Sequence, residues 1–214
     1  MSEDQHSASS TLSLSSDAAP KIGNPGPLGL SSFALTTFVL SLYIVGAREV
    51  THHNIIVGLA LFYGGIVQIL AGMWEFKVGN TFGATAFSSY GGFWLSYATI
   101  LIPGFNIASA YASKSELEQA LGIYLLGWTI FTFLLFLTTF KSKGSIFVLF
   151  FFVTITFVLL TTSKFQENSD IEKAGGIMGI ITALLAWYNA MAQLWTHENS
   201  YFTLPDFDMR RKSK

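Results

Sequence analysis

The residues of this chain best equipped for chemistry are amides, hydroxyls and one carboxylate, set among long apolar runs. Gln68 stands between Gly64 and Gly72 at steps of four, and Asn189 and Gln193 are four apart in a later run. Between them, Thr85, Ser89, Gly92, Ser96 and Thr99 recur at steps of three and four, with Asn80 and Thr81 ahead of them. Such spacing puts each set on one face of a helix. An amide in an apolar setting is costly without a partner, so these groups must face one another or water. Two roles are open to Gln68, Asn189 and Gln193: hydrogen-bond glue between helices, or contact with a solute on a hydrated path. Three polar stripes in one small protein favour the path. Hydroxyls, amides and backbone N–H groups replace a carboxylate's hydration shell only weakly. No Lys or Arg lies inside these runs. The solute that fits is therefore small, neutral or monoanionic, loosely held and quickly released.

Glu75 is the one carboxylate close to an apolar run, beside Trp74 and two residues before Lys77. Its first reading is an interfacial pair or helix cap, with a proton carrier as the second. His52 and His53 adjoin Asn54, but no acid or thiol completes a metal site there. The chain has no cysteine, which excludes disulfides, thiolate nucleophiles and iron–sulfur clusters. No serine–histidine–acid set, glycine-rich phosphate loop or paired carboxylates are visible. The sequence gives no sign of an enzyme, a metal or a cofactor, and a net charge of −1 gives none of a nucleic-acid partner.

The elements that must position these residues are membrane helices. The chain is 51% hydrophobic and 12% charged, where soluble domains carry about 25% charged residues. Residues 1–23 are serine-rich and polar, and read as a disordered tail without a signal peptide. Six apolar segments follow, roughly Leu28–Gly46, Ile55–Trp74, Phe82–Ile102, Ala120–Phe140, Ser145–Thr162 and Ala174–Trp195. Each approaches the ~20 residues that cross ~30 Å of hydrocarbon. The expectation is an all-α polytopic protein with a transport domain over 24–195 and a basic tail over 196–214. Eight cations (Lys21, Lys77, Lys141, Lys143, Arg210, Arg211, Lys212, Lys214) fall on the side of the termini and four (Arg48, Lys114, Lys164, Lys173) on the other. That bias puts both termini in the cytoplasm. Ala60 with Gly64, and Gly175 with Gly179, suit close helix packing.

At the start of the first segment stands Asn24-Pro25-Gly26-Pro27-Leu28-Gly29-Leu30. Asn24 suits a helix cap, and proline costs little in a first turn. Two readings are open: a rigid cap, or a pore mouth lined with aligned backbone N–H donors. This stretch resembles the Asn-Pro-Ala/Gly-Pro-Leu-Gly-Leu signature of the acetate uptake transporter family. The resemblance continues through Phe62–Glu75 and through Gly79–Trp94, and covers nearly all of the chain after residue 23. The serine-rich head is more like fungal than bacterial members.

The resemblance implies a six-helix protomer, assembled as a homo-hexamer in the plasma membrane, with one solute path per protomer. It implies carriage of acetate and similar monocarboxylates, by symport with protons or through a channel. It also implies a hydrophobic gate, for which Phe33, Tyr90 and Val153 (with Thr154 beside it) match the family's phenylalanine, tyrosine and leucine. Gln68, Thr85 and Ser89 become candidates for solute contact, with Asn24, Asn189 and Gln193. Two alternatives stand beside this one: export of ammonia or ammonium, since fungal relatives are associated with it, and a non-transporting membrane protein that senses acetate.

Overall fold

The computed structural model describes residues 22–50, 52 and 54–205. The expected disordered head, apart from Ile22 and Gly23, and the basic cluster from Arg210 onward lie outside the described residues, as does His53. Six long helices follow in order: α1 Gly26–Ile44, α2 Ile56–Lys77, α3 Thr81–Leu101, α4 Lys114–Thr138, α5 Gly144–Gln166 and α6 Ser169–Leu194. Five of them are long and apolar enough to cross a membrane. The exception is α3, whose 21 residues reach about 30 Å but whose hydroxyls and glycines lower its hydropathy. The expected spans thus appear as six long helices, five of them unmistakably apolar.

α1 joins two halves of the bundle. It packs on α6, which packs on α5 and that on α4; on its other side it meets α2 and α3, which pack on each other. α1 is the most enclosed of the five apolar helices and α4 the least. The outward faces carry large apolar groups such as Phe62, Ile66 and Leu70 on α2, and Ile123, Ile130 and Phe133 on α4. Such faces suit hydrocarbon rather than water.

The sequence pattern missed two features of helix geometry. Within α2, Phe62–Val67 forms a π-helical turn containing Gly64 and Gly65. The helices at the far end, opposite the chain termini, also run several residues past the apolar segments. Ser113 accepts from the Glu116 N–H and starts α4 six residues before Ala120; Asn168 likewise accepts from Asp170 and Ile171 to start α6. Lys164 then bridges Glu118 at 3.1 Å and Glu172 at 2.8 Å, clasping α4, α5 and α6 together.

Small residues set the helix spacing. A Cβ on Gly72 would lie 2.2 Å from the Ser88 Oγ, one on Gly64 2.7 Å from the Thr36 Oγ1, and one on Gly179 2.2 Å from the Ser41 Oγ. The packing role expected for Gly64, Gly175 and Gly179 is what the structure shows, with Gly175 against Leu160. Two adjacent glycines on α3 test this spacing. A Cβ on Gly91 would sit 2.4 Å from the Ile69 Cγ1 and 2.9 Å from the Gly65 carbonyl oxygen, whereas Gly92 has nothing within 4 Å. Gly91→Ala is expected to destabilise by about 1–3 kcal/mol through overpacking, and Gly92→Ala to be neutral or to stabilise by up to ~1 kcal/mol through helix propensity. Thermal unfolding of both variants in detergent checks the contrast; equal behaviour would refute the α2–α3 contact.

Candidate functional site

A cavity of about 480 Å³ opens at the end of the bundle that holds the start of α1 and the end of α6. All six helices contribute to its wall: Gly26, Leu30 and Phe33 of α1, Gln68 and Glu75 of α2, and Gly83, Ala86, Phe87 and Tyr90 of α3. Thr138 ends α4, the turn after it adds Thr139, Lys141, Ser142 and Lys143, and α5 adds Leu149, Phe150 and Val153. Asn189 and Gln193 of α6 complete the wall, with Asn24 and Asn80 near the mouth.

The deep end is apolar and closed. Phe33, Tyr90 and Val153, on three different helices, all line the cavity and are each less than 9% exposed. The Phe33 and Tyr90 rings lie 5.6 Å apart, and Tyr90 also meets Phe150 and Phe157 at 6.4 Å. The Tyr90 hydroxyl is 3.0 Å from the Thr132 hydroxyl of α4, which fixes the ring's height and tilt. The three residues that sequence resemblance selected are therefore brought together.

The mouth is a network of committed amides. Asn24 Nδ2 donates to Gln193 Oε1 at 2.9 Å, and Gln193 Nε2 donates to the Asn189 carbonyl at 3.0 Å. Asn189 Nδ2 donates to the Leu185 carbonyl at 2.8 Å and the Ser145 carbonyl at 3.3 Å. Asn24 Oδ1 accepts the Gly26 N–H, and the Pro25 carbonyl accepts the N–H groups of Leu28 and Gly29. Pro25 and Pro27 have none to offer. The signature therefore makes a rigid cap, and the alternative of a mouth lined with free backbone donors is corrected: each of those donors is spent within the turn.

Glu75 is buried, 2% exposed, and its Oε2 accepts from Asn80 Nδ2 at 2.8 Å. Asn80 also caps α3, its Oδ1 accepting the Gly83 N–H. Glycines make room for the carboxylate: a Cβ on Gly83 would lie 3.1 Å from its Cδ, and one on Gly26 3.3 Å from its Oε1. Of the interfacial pair expected beside Lys77, the structure shows instead a carboxylate held by an amide inside the cavity.

Gln68 is the exception among the amides. It is fully buried, lines the cavity, and neither its Nε2 nor its Oε1 has a hydrogen-bond partner. Leaving such groups unpaired costs about 1–3 kcal/mol each. Thr37, Ser88 and Trp94 each also hold an unpartnered polar atom, but none of these lines the cavity. α1 and α2 lie with Gly26 beside Glu75 and Thr36 beside Gly64, which puts Gln68 about level with Phe33, at the deep end.

Thr85 and Ser89 are corrected in place. They are half-buried and do not line the cavity. The face of α3 that does runs through Gly83, Ala86, Phe87 and Tyr90, turned by about 100° per residue from the hydroxyl stripe. Further along the stripe, Ser96 bonds the Tyr124 hydroxyl at 2.7 Å, which is glue between α3 and α4. Sequence reasoning missed Thr138, Thr139, Ser142 and the cavity role of Lys141 and Lys143. These residues sit at a helix end and in a short connection, where helical periodicity carries no signal.

Comparison with known proteins gives concordant results. The profile of the GPR1/FUN34/yaaH family matches residues 8–211. Ammonia transport outward protein 2 of Saccharomyces cerevisiae is 50% identical over 195 residues, covering 91% of this chain and 69% of that protein. Acetate permease A of Emericella nidulans is 49% identical over 198 residues, covering 87% of this chain and 66% of that one. The chain thus spans about two thirds of these fungal relatives. The solved structure of the bacterial acetate channel SatP superposes with a TM-score of 0.77 at 39% identity, over 86% of this chain and 99% of that one.

The unpaired amide yields a test. Gln68→Leu replaces it with an apolar side chain of similar size and is expected to raise stability by about 1 kcal/mol or more. Thermal unfolding in detergent reads this directly. A drop of the same size would mean that Gln68 has a partner within the fold.

Proposed function

The chain belongs to the GPR1/FUN34/yaaH family, and on that premise we propose that it carries acetate and similar short monocarboxylates across a membrane, along a path through its own six helices. The observation that carries the proposal is a cavity that runs from a polar mouth to a buried apolar end with one unpaired amide beside it. Acetate permease A and the bacterial acetate channel SatP are both named for the same solute, which supports this choice.

In this reading Phe33, Tyr90 and Val153 are the gate. Rings and an aliphatic side chain close a small pore by excluding water, with no charge needed. Opening requires the Phe33 and Tyr90 rings to part, and the Tyr90–Thr132 bond sets the resting position from which they do so. Lys141, in the turn at the open end of the cavity, favours anions there. Glu75, lining the same cavity, is the group that exchanges a proton with solution if transport is coupled to protons. Asn24, Asn189 and Gln193 hold the mouth in shape rather than grip the solute.

The site lies in a plasma-membrane protein with both termini in the cytoplasm, so the wide end of the cavity faces the cytoplasm. Six copies form the assembly, each with its own path. A second reading comes from the relative named for outward ammonia transport. Ammonium would be favoured by the ring faces of Phe33 and Tyr90 and by Glu75, yet Lys141 at the mouth opposes a cation. Acetate remains the better fit.

The test is entry of labelled acetate into liposomes carrying the purified chain, with and without an inward proton gradient and corrected for leakage of acetic acid through lipid. Uptake above empty vesicles is expected, altered several-fold by Phe33→Ala and by Tyr90→Ala as the closed ring loses its apolar seal. Accumulation above equilibrium marks proton coupling, and equilibration marks a channel. Absence of uptake by a folded protein would overturn the proposal and make ammonium flux the next measurement.

A further inference from the structure

The chemistry of Gln68 constrains the form in which a solute passes it. A carboxamide offers N–H donors and a carbonyl acceptor side by side. In this protein both are buried and unpartnered at the deep end of the cavity. A carboxylate can accept from the Nε2 but has no hydrogen to give the Oε1, so it leaves that oxygen unpaired and sets like partial charges against each other. A neutral carboxylic acid has an O–H and a C=O on one edge. It satisfies both amide atoms at once in a closed pair of hydrogen bonds. A primary amide has the same edge, with N–H in place of O–H.

The surroundings select in the same direction. Phe33, Tyr90, Phe150 and Val153 form the deep wall, and no cation lies among them. The cationic side chains on the cavity wall, Lys141 and Lys143, belong to the turn between α4 and α5, at the end of the bundle where the cavity opens. A bare charge at the ring would be stripped of water without compensation, whereas a neutral polar head with both bonds made would not.

We propose that Gln68 is a docking point for neutral head groups that donate and accept on one edge, so that this path also conducts small primary carboxamides. This rests on the transport reading above. It adds a substrate class, of which acetamide is the simplest member and a near-isostere of acetic acid.

The experiment uses proteoliposomes of the full chain and three probes. Acetamide influx is followed by osmotic swelling, and labelled acetate entry is measured alone and against excess acetamide or excess acetone. Acetone has acetamide's heavy-atom frame but no N–H. Acetamide is expected to enter faster than into empty vesicles and to slow acetate entry, and acetone to leave acetate entry unchanged. In Gln68→Leu vesicles, with folding verified by thermal unfolding, the acetamide increment should fall about tenfold or more, as for a site that loses a hydrogen-bonding partner. Acetate entry without acetamide entry or competition overturns the inference and leaves the transport reading standing. Acetone competing as well as acetamide, or an acetamide increment that survives in Gln68→Leu, overturns it as well, since the site would then select by size alone. If neither acetate nor acetamide enters, the transport reading falls and this one with it.

Discussion

The structure depends on one constraint: in a hydrocarbon surround, a polar group that leaves water must find its partner inside the protein. Almost every polar side chain of the bundle obeys it locally. Ser32 and Thr36 return their hydroxyls to carbonyls one turn back, Thr129 meets Thr161 across α4 and α5, and Thr156 meets Thr182 across α5 and α6. These pairs hold helices at fixed heights, because a slide of one turn would break them. Against that background the unpaired Gln68 is conspicuous. Thr37, Ser88 and Trp94 each leave one atom unpaired, but among the described residues only Gln68 leaves both ends of a side chain open, and it does so where the cavity ends.

Glycine supplies the complementary constraint, that of distance. Where α2 meets α1 and α3, the contacts run through Gly64, Gly65, Gly72 and Gly91, each with a neighbour closer than a Cβ tolerates. Close approach there holds α1 and α3, which carry Phe33 and Tyr90, against the same helix. The π-helical turn belongs to the same economy of space, since it widens the helix by one residue where two glycines stand together. Around the carboxylate, Gly26 and Gly83 do for Glu75 what the others do for the backbone.

Much of this was legible in the sequence. The six apolar segments lie within the six long helices or close to them, and Phe33, Tyr90 and Val153, which the family resemblance singled out, all line one cavity. The rest was not legible, for reasons that differ residue by residue. Periodicity told that Thr85 and Ser89 share a face of α3 but not which way that face points, and it points off the cavity. The three amides looked alike although their surroundings differ: Gln193 pairs with Asn24, 169 residues away, Asn189 bonds Ser145 and its own helix, and Gln68 pairs with nothing. Whether an amide is glue or a contact point depends on what stands opposite it, which no single segment encodes. The far-end extensions escaped because capping by Ser113 and Asn168, and the clasp of Lys164, continue helices where apolar spacing has already ended.

The hydroxyl tether of Tyr90 has a mechanical consequence. Its partner Thr132 belongs to α4, the least enclosed of the apolar helices, whose outer face carries exposed apolar side chains. A ring at the deep end is thus fastened to the least enclosed of the apolar helices. A tilt of α4 that moved Thr132 would therefore reach the buried end of the cavity, transmitted through that one hydroxyl contact.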